Sequence, residues 1–260
     1  MPVHRLRFLV SCALCSGVLA WGSTAHAAAQ VNKFSLVFSA NPTTVDPKDF
    51  NDKVIDNLNK TQLEPRGLEG VKPIRFAWLY DAQMRYFVRP NFAVEAGVSQ
   101  LRTFSRREYL PAINAAVEFR AELLSAPVHL GGAYYLPPYN QGDFQARMYL
   151  GGGFASLVYN RARFTATFAN TDSARSGINS KLVARRDSPG YYVDSGVHMF
   201  FGGRYSVLVG VLYRSSMVRN AEAELELRTA NGGITRYQLG PYFDIDTSGI
   251  GGKMALAIGF

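Results

Sequence analysis

The chain has 260 residues, of which 47% are hydrophobic, 13% aromatic and 18% charged, and its formal net charge is +8. This composition is too apolar for a disordered protein, and no apolar run reaches the roughly 18 residues that a membrane-spanning helix needs. The positive charge is spread along the chain without a basic run interleaved with stacking aromatic residues, so we expect no nucleic-acid partner.

The first 27 residues have the pattern of a secretory signal peptide. A basic start precedes a short apolar stretch at residues 8–21, and Ala25-His26-Ala27 supplies a small-x-small cleavage site. A lipid-attachment box ending at Cys12 would leave almost no hydrophobic region before the cysteine, which disfavours a lipoprotein. We therefore expect cleavage near Ala27 and one domain at residues 28–260. That domain would contain no cysteine for a disulfide or a thiolate metal site.

Strict alternation of apolar and polar residues predicts strands with one apolar face. The clearest case runs from Ile74 to Tyr86, where every even residue is apolar and every polar residue is odd. A helix would scatter these bulky side chains around its circumference. Seven further segments repeat the pattern, so we expect eight strands, whose apolar sets begin at Phe34, Ile74, Val94, Val117, Met148, Val193, Val207 and Met254.

The connections between these segments alternate between short and long. Residues 88–91, 136–143 and 202–204 form short turns, whereas residues 41–73, 106–114, 169–190 and 215–240 form long loops. Aromatic residues flank the short turns, and a second set lies towards the long loops: Trp78, Phe104, Tyr109, Tyr159, Phe164, Tyr191, Tyr192 and Tyr213. Two aromatic belts with alternating turn lengths are typical of an up-and-down barrel that crosses a membrane.

The first long loop carries a helical pattern. Asp46-Pro47 is a good helix start, and Phe50, Val54, Ile55 and Leu58 then recur at helical spacing. We expect a short amphipathic helix of about three turns. Its apolar face would be buried in the barrel mouth as a partial plug, or would lie on the outer leaflet.

The later loops differ in charge. The third is basic, with Arg161, Arg163, Arg175, Lys181, Arg185 and Arg186, and these cations would either contact lipid phosphates or serve solubility. In the fourth loop, residues 221–228 alternate and Asn231-Gly232 is a tight-hairpin signal. The seventh and eighth strands should therefore project beyond the membrane.

The chain resembles the small eight-stranded outer-membrane barrels of Gram-negative bacteria, of the OmpA-domain, OmpX and OmpW type. The resemblance rests on the signal peptide, the eight alternating segments and the final MALAIGF, and it spans about Lys33 to Phe260. It implies an all-β, transmembrane antiparallel barrel in the bacterial outer membrane, surrounded by lipids and lipopolysaccharide. Four residues match the pattern presented to the barrel assembly machinery: Met254, Leu256, Ile258 and Phe260. The long first and fourth loops depart from the smallest members, so no family function carries over.

A barrel of eight strands is filled by its own side chains. The polar positions of the alternating segments contain similar numbers of acids and bases, which can pair inside the lumen. We expect either a salt-bridged plug that closes the barrel or a narrow, gated path for small solutes. The expected inward residues are Arg75, Asp81, Arg85, Glu95, Glu118, Arg120, Glu122, Arg147, Asp194, His198, Arg214 and Lys253.

The facing of the fourth segment is ambiguous near Ser125-Ala126-Pro127, where its outward set shifts from odd to even residues. A β-bulge would explain the shift, because proline in a sheet favours bulges and edges. His129 lies just beyond this point and cannot be assigned to either face from the sequence.

The sequence does not favour an enzyme. Only His129 and His198 follow the signal peptide, and neither has a serine two residues away on its own face. Without a base, an activated nucleophile and an orienting group together, we expect no catalysis, cofactor or metal. Three roles are carried forward: a structural or narrow-channel barrel, a barrel that binds a ligand or surface through its long loops, and a lipid-modifying enzyme as the least favoured.

Overall fold

The computed structural model describes residues 32–112, 115–170, 179–201, 203–228 and 233–260. The predicted signal peptide, Arg175 and Asn231-Gly232 lie outside these ranges, as do the side chains of Lys181 and Arg185. In the described ranges, the helices are too short and too polar to cross a bilayer. The strand segments in these ranges are β1 (Phe34–Thr44), β2 (Phe76–Arg89), β3 (Phe92–Ala112), β4 (Ala115–Tyr135), β5 (Tyr139–Gln141), β6 (Phe144–Asn170), β7 (Asn179–Arg185), β8 (Ser188–Phe200), β9 (Tyr205–Arg228), β10 (Ile234–Asp246) and β11 (Gly249–Gly259).

Eight of these segments close into an antiparallel ring. β1 pairs with β2 on one side and with β11 on the other, so Leu36 lies opposite both Met84 and Ile258. The ring then runs β1-β2-β3-β4-β6-β8-β9-β11 and returns to β1. A closed ring satisfies backbone hydrogen bonds without an exposed sheet edge, which a bilayer requires. The predicted antiparallel barrel is confirmed, but the described ranges contain eleven strands, more than the eight expected, because eight form the ring and three add to its ends.

The remaining strands extend this ring at its ends. β7 lies above β8 and pairs with β6 and β9, while β10 lies above β11 and pairs with β9. β5 adds only a short ladder to β6 at the opposite end. β6 and β9 have 27 and 24 residues, far more than the roughly 9–11 that cross a bilayer. The predicted hairpin in the fourth loop is present as the paired strands β9 and β10, and much of the predicted second and third loops is strand as well.

A helical segment fills the first long connection. It consists of an α-helical turn (Lys48–Phe50), two π-helical stretches (Asn51–Asp56 and Asn59–Leu63) and a 3₁₀ turn (Glu64–Arg66), and we call it the loop-one helix. Gly67 ends it with a positive φ of 68°, a conformation that glycine adopts without strain.

The loop-one helix lies in the barrel mouth. Phe50, Ile55 and Leu63 are buried in the same apolar cluster as the barrel residues Leu101 and Leu123. This cluster forms the upper core of the molecule, and it confirms the plug that the amphipathic pattern predicted. The same cluster includes Val45, Val71 and Ile74 from the chain on either side of the helix.

The outer wall carries an apolar band bounded by aromatic residues. On β9, Tyr205 and Tyr213 are exposed at the two ends of the band, and Val209 is exposed midway between them. Eight residues of strand span about 26 Å, close to the apolar height of about 25 Å in outer-membrane barrels. Of the predicted upper belt, Trp78, Tyr159, Tyr191 and Tyr213 are exposed on this wall, whereas Tyr109, Phe164 and Tyr192 contribute to the interior.

Above this band, the residues on the inner side of the wall are mainly apolar and many residues on its outer side are charged. Odd residues of β4 face inward along the whole strand, from His129 to the buried Leu123 and Phe119. Glu118, Arg120 and Glu122 therefore lie on the outer side of β4, where they line a pocket in which Glu122 is only 8% exposed, and their predicted place in the lumen is wrong. The reason is that the projecting wall meets water outside and the loop-one helix inside, so its apolar residues turn inward.

The expected irregularity near Pro127 has a different form from the one predicted. The β4–β6 register shifts between Ala126 and Pro127, where Tyr159 and Leu157 are the respective partners. The extra residue, Val158, thus lies on β6, and the facing of β4 does not change. The apparent shift in the sequence pattern reflects the change of environment along β4.

Candidate functional site

The lower lumen contains a buried ion pair on neighbouring strands. Arg85 on β2 lies directly opposite Glu95 on β3, and its Nη2 is 2.5 Å from Glu95 Oε1. Both side chains are 0% exposed. Arg85 also donates a hydrogen bond to the hydroxyl of Tyr135 on β4. Buried charge is tolerated only when it is paired in this way.

A second ion pair joins strands that are not neighbours. Lys253 on β11 donates to Asp194 on β8, across the intervening β9, and both side chains are buried. Gly151 makes room for this pair, because a Cβ at that position would overlap Asp194 Oδ1. The small residues on the inner wall thus allow charged side chains to cross the lumen.

His198 links this polar network to the other wall. Its Nε2 lies 2.7 Å from Ser206 Oγ, and its Nδ1 lies 3.1 Å from the Tyr135 hydroxyl. Arg147 lies over the Tyr135 ring, with 5.2 Å between its Cζ and the ring centroid. The connected side chains of Arg85, Tyr135, His198 and Ser206 therefore fill the lumen near its lower end. We call this network, with the two ion pairs, the lower plug.

A small cavity separates the lower plug from the upper core. His129 faces inward here, and its Nε2 lies 2.8 Å from Asp81 Oδ1, which also accepts a 2.6 Å hydrogen bond from Ser99. Tyr192 and Arg214 line the same cavity. Its volume of about 60 Å³ suits one or two water molecules and is too small for an organic solute.

The upper closure is tied to the barrel by polar contacts. Arg107 on β3 forms an ion pair with Glu69, and Tyr109 donates to the Glu69 carbonyl. Asp49 accepts hydrogen bonds from the backbone N–H of Asp244, at 2.9 Å, and from Lys53, at 2.8 Å. Partial burial opposes ionisation of Asp49, but these two donors outweigh it and hold its pKa below the ordinary value of 3.8.

The structure brings eight of the twelve expected lumen residues into the interior. These are Asp81, Arg85, Glu95, Arg147, Asp194, His198, Arg214 and Lys253. Arg75 is exposed just before β2, outside the expected position, because the strand begins only at Phe76. Glu118, Arg120 and Glu122 lie on the outer wall, as described above.

The last strand presents its apolar residues outward. Met254, Leu256 and Phe260 are exposed, Ile258 is partly exposed, and all four alternate with buried residues. β11 pairs with β1 along this stretch and thereby closes the ring.

Several network residues were not identified from the sequence. Tyr135 and Tyr192 were expected in the aromatic belts, yet Tyr135 is buried at the lower plug and Tyr192 lines the cavity. Tyr149, which the alternation placed opposite the apolar set of its segment, is also buried at the lower plug. The alternation along the strand could have identified one of these residues, because Tyr134 and Tyr135 are consecutive and one of the two must face inward. Ser206 was missed because its contact with His198 depends on strand pairing.

The histidines do not form a catalytic relay. His198 contacts a serine, but its other nitrogen faces a tyrosine instead of a carboxylate, and the side chain is only 1% exposed. At the other histidine, Ser99 contacts Asp81 and not the His129 ring. Across the part of the chain that the structure describes, no three His, Cys, Asp or Glu residues are grouped to hold a metal ion.

Comparisons with solved structures return neighbours of low sequence identity. No family model and no curated protein matches the chain. A major outer membrane protein from Thermus thermophilus is 8% identical, with 87% of this chain and 99% of that chain covered and a TM-score of 0.42. The outer membrane protease OmpT from Escherichia coli is 10% identical (92% and 100% covered, TM-score 0.36). Ail, the attachment invasion locus protein of Yersinia pestis, is 12% identical (88% and 98% covered, TM-score 0.30).

Likeness at this level does not bear on activity, so the fold is read from the ring of paired strands itself. An antiparallel ring of eight strands, an outward apolar band and a polar interior together define the architecture. The chain therefore has the fold of the small outer-membrane β-barrel proteins.

Proposed function

We propose that the protein is an integral outer-membrane barrel with a structural role, closed to solutes at two levels of its lumen. The main support for this proposal is the burial of the loop-one helix in the barrel mouth, where Phe50 is 0% exposed and Ile55 is 1% exposed. The lower plug supplies the second closure. This arrangement favours a rigid structural barrel over a solute channel.

Opening the upper closure has a high energetic cost. Withdrawal of the helix would expose Phe50, Ile55 and Leu63 to water, at about 1.5–3 kcal/mol for each side chain. The sum is about 5 kcal/mol or more, and each 1.4 kcal/mol changes a population about tenfold. The open form would then be rarer than about one molecule in a thousand.

The apolar band and its aromatic borders support placement in a bilayer. Within this proposal, the signal peptide is cleaved near Ala27, and the barrel assembly machinery recognises Met254, Leu256, Ile258 and Phe260. Outer-membrane lipids and lipopolysaccharide surround the barrel. The role requires no cofactor and no enzymatic activity.

Conductance across planar bilayers tests the closure. We expect the full chain to give no steady current in potassium chloride, because both levels are occupied by side chains. A variant that combines removal of residues 46–72 with Arg85→Ala, Glu95→Ala and Tyr135→Ala, which removes side chains that fill the lower lumen, should conduct. Removal of residues 46–72 alone, or the lower-plug substitutions alone, should leave the other closure in place, so neither variant should conduct. Steady ohmic current through the unaltered protein would refute the closed lumen.

A surface-binding role is the second candidate. It is favoured by the length of β6 and β9, which carry a sheet well beyond the apolar band. Truncation of the β9–β10 hairpin should then abolish binding to the protein's ligand while leaving the barrel folded. Unchanged surface interactions after truncation would count against this role, and changed lipid chemistry in producing cells would instead indicate an enzyme.

A further inference from the structure

We propose that the outer wall just above the apolar band binds the phosphate groups of an outer-leaflet lipid. The site is a pocket of about 460 Å³ on the outward faces of β3, β4 and β6. We call it the arginine pocket, and its lining residues are Arg102, Glu118, Arg120, Glu122, Arg161, Arg163, Thr165 and Thr167. The inference rests on the proposed membrane placement and is independent of whether the lumen is closed.

The arginine pocket carries an excess of positive charge. Four arginines and two glutamates line it, and two threonine hydroxyls add neutral donors. Arg102 reaches Glu122 only at 3.6 Å. The adjacent Arg106 forms an ion pair with the other glutamate, Glu118, with 3.0 Å between Arg106 Nε and Glu118 Oε1. Glu122 also lies directly opposite Arg163 across β4 and β6, but among the described residues neither glutamate forms an ion pair with Arg120, Arg161 or Arg163.

Strand register brings like charges together at this pocket. Arg106 on β3 lies directly opposite Arg120 on β4, and like charges in this arrangement repel each other. Glu118 offsets the charge of Arg106, whereas Arg120 has no ion pair with a carboxylate among the described residues. Arg161 and Arg163 lie two residues apart on the same face of β6. In addition, the Nε atoms of Arg120, Arg161 and Arg163 are buried and have no hydrogen-bond partner among the described residues.

The pocket lies at the depth expected for headgroup phosphates. Arg161 is two residues above the exposed Tyr159, and its Cζ lies 5.9 Å from that ring centroid. Since aromatic belts mark the border between hydrocarbon and water, two residues of strand place Arg161 about 7 Å above that border. By contrast, the hairpin of β9 and β10 carries Glu222, Glu224 and Glu226, so positive charge is not a general property of the projecting wall.

A groove suited to acyl chains lies below the pocket on β3, β4 and β6 and extends onto β1 and β2. It has a volume of about 730 Å³ and is lined mainly by apolar residues, among them Val98, Val128 and Phe154, which are exposed on β3, β4 and β6. Val128 is two residues beyond Ala126, the strand partner of the border residue Tyr159, so this part of the groove lies about 7 Å below the border, among the acyl chains. A cationic pocket above an apolar groove matches a phosphorylated amphiphile better than a free anion.

Guanidinium groups suit this partner because their paired N–H donors match two phosphate oxygens, and the threonine hydroxyls supply further donors. We therefore assign the arginine pocket to a lipid that carries phosphate on its headgroup, such as the phosphorylated glucosamine lipid of the outer leaflet.

Native mass spectrometry of the full chain in detergent tests this assignment. The probes are lipid A with two phosphates, the same lipid without phosphate, and inorganic phosphate. We expect retention of the phosphorylated lipid only. The double variant Arg161→Gln/Arg163→Gln should bind it about tenfold more weakly or worse, because two charge-assisted contacts are lost. Arg163→Lys, which keeps the charge but loses the planar fork, should show a smaller loss.

The matched control removes the same charge elsewhere. Arg228→Gln/Arg236→Gln lies on the β9–β10 hairpin, where these arginines pair with Glu224 and Glu226, and it should change binding less than about twofold. An equal loss in both double variants, equal retention of the dephosphorylated lipid, or displacement of the lipid by inorganic phosphate would each overturn the proposal. A conducting lumen would refute the proposed closure and leave these lipid measurements unaffected.

Discussion

At the scale of single residues, the buried ion pairs of the lower plug matter most for stability. Arg85 and Glu95 are fully buried and face each other across one strand pair. A pair of this kind does not stabilise a fold strongly by itself, but loss of one member leaves a charge without compensation. The two members should therefore behave as a unit.

This coupling gives a prediction for Glu95→Ala. The variant should lower the free energy of unfolding by about 3–5 kcal/mol, because Arg85 remains buried and loses its carboxylate. The double variant Arg85→Met/Glu95→Met should recover much of that loss. Urea unfolding in vesicles, followed by Trp78 fluorescence, measures both. Additive losses in the double variant would show that the pair does not act as a unit.

The outward residues of the apolar band give a second prediction. Val209 lies midway between two exposed tyrosines on β9, so Val209→Arg should cost about 2–4 kcal/mol of unfolding free energy. Leu110 is also exposed, at 76%, but it lies on the projecting part of β3. Leu110→Arg should change stability by less than about 0.5 kcal/mol. Equal costs at the two positions, in the same urea assay, would contradict the assigned band.

At the scale of elements, the loop-one helix is held by its apolar face and by a few polar contacts at its rim. The Asn51 side chain accepts a hydrogen bond at its Oδ1 from the backbone N–H of Ile74, at 2.9 Å, and donates one from its Nδ2 to the Ile74 carbonyl, at 2.8 Å. Asn59 forms the same two-way contact with Val71. These contacts hold the returning chain against the helix, so the helix and the return segment should open together.

Asp49 makes this docking sensitive to acid. Its pKa is lowered in the docked state, so its contribution is present above the ordinary value of 3.8 and is lost as the pH falls through the lowered pKa. Hydrogen exchange in residues 46–72 should therefore accelerate relative to the barrel strands below about pH 4. Asp49→Asn should remove most of this pH dependence. An unchanged dependence in that variant would assign it to other groups.

The sequence predicted the strands well because a period of two is a local property. β2 illustrates this: the alternation from Phe76 to Tyr86 predicted its outward face correctly. Which face of a strand points into the barrel is not a local property, because the alternation looks the same whether the apolar side chains face inward or outward. Phe119 and Glu118 were thus assigned to the wrong sides, because their burial depends on a helix some 60 residues earlier in the chain. The partner of His198 likewise depends on the register of two strands.

At the scale of the whole molecule, the barrel is divided along its axis into two zones. In the lower zone the wall is apolar outside and polar inside, as a bilayer and a filled lumen require. In the upper zone the outer side of the wall is mainly polar, although Phe104 and Leu110 are exposed there, and the wall encloses an apolar core completed by the loop-one helix. The arginine pocket lies on the outer wall at the boundary. This division explains how a single strand can continue through both zones without a change in facing.

A scan of β4 with spin labels, in vesicles, tests this division most directly. Labels placed one at a time at Glu118, Arg120, Val128 and Leu130 report collision rates with oxygen, which concentrates in lipid, and with a water-soluble nickel chelate. The account predicts high oxygen collision rates at Val128 and Leu130 and high nickel collision rates at Glu118 and Arg120. If all four positions favoured the same reagent, the two-zone wall would be contradicted.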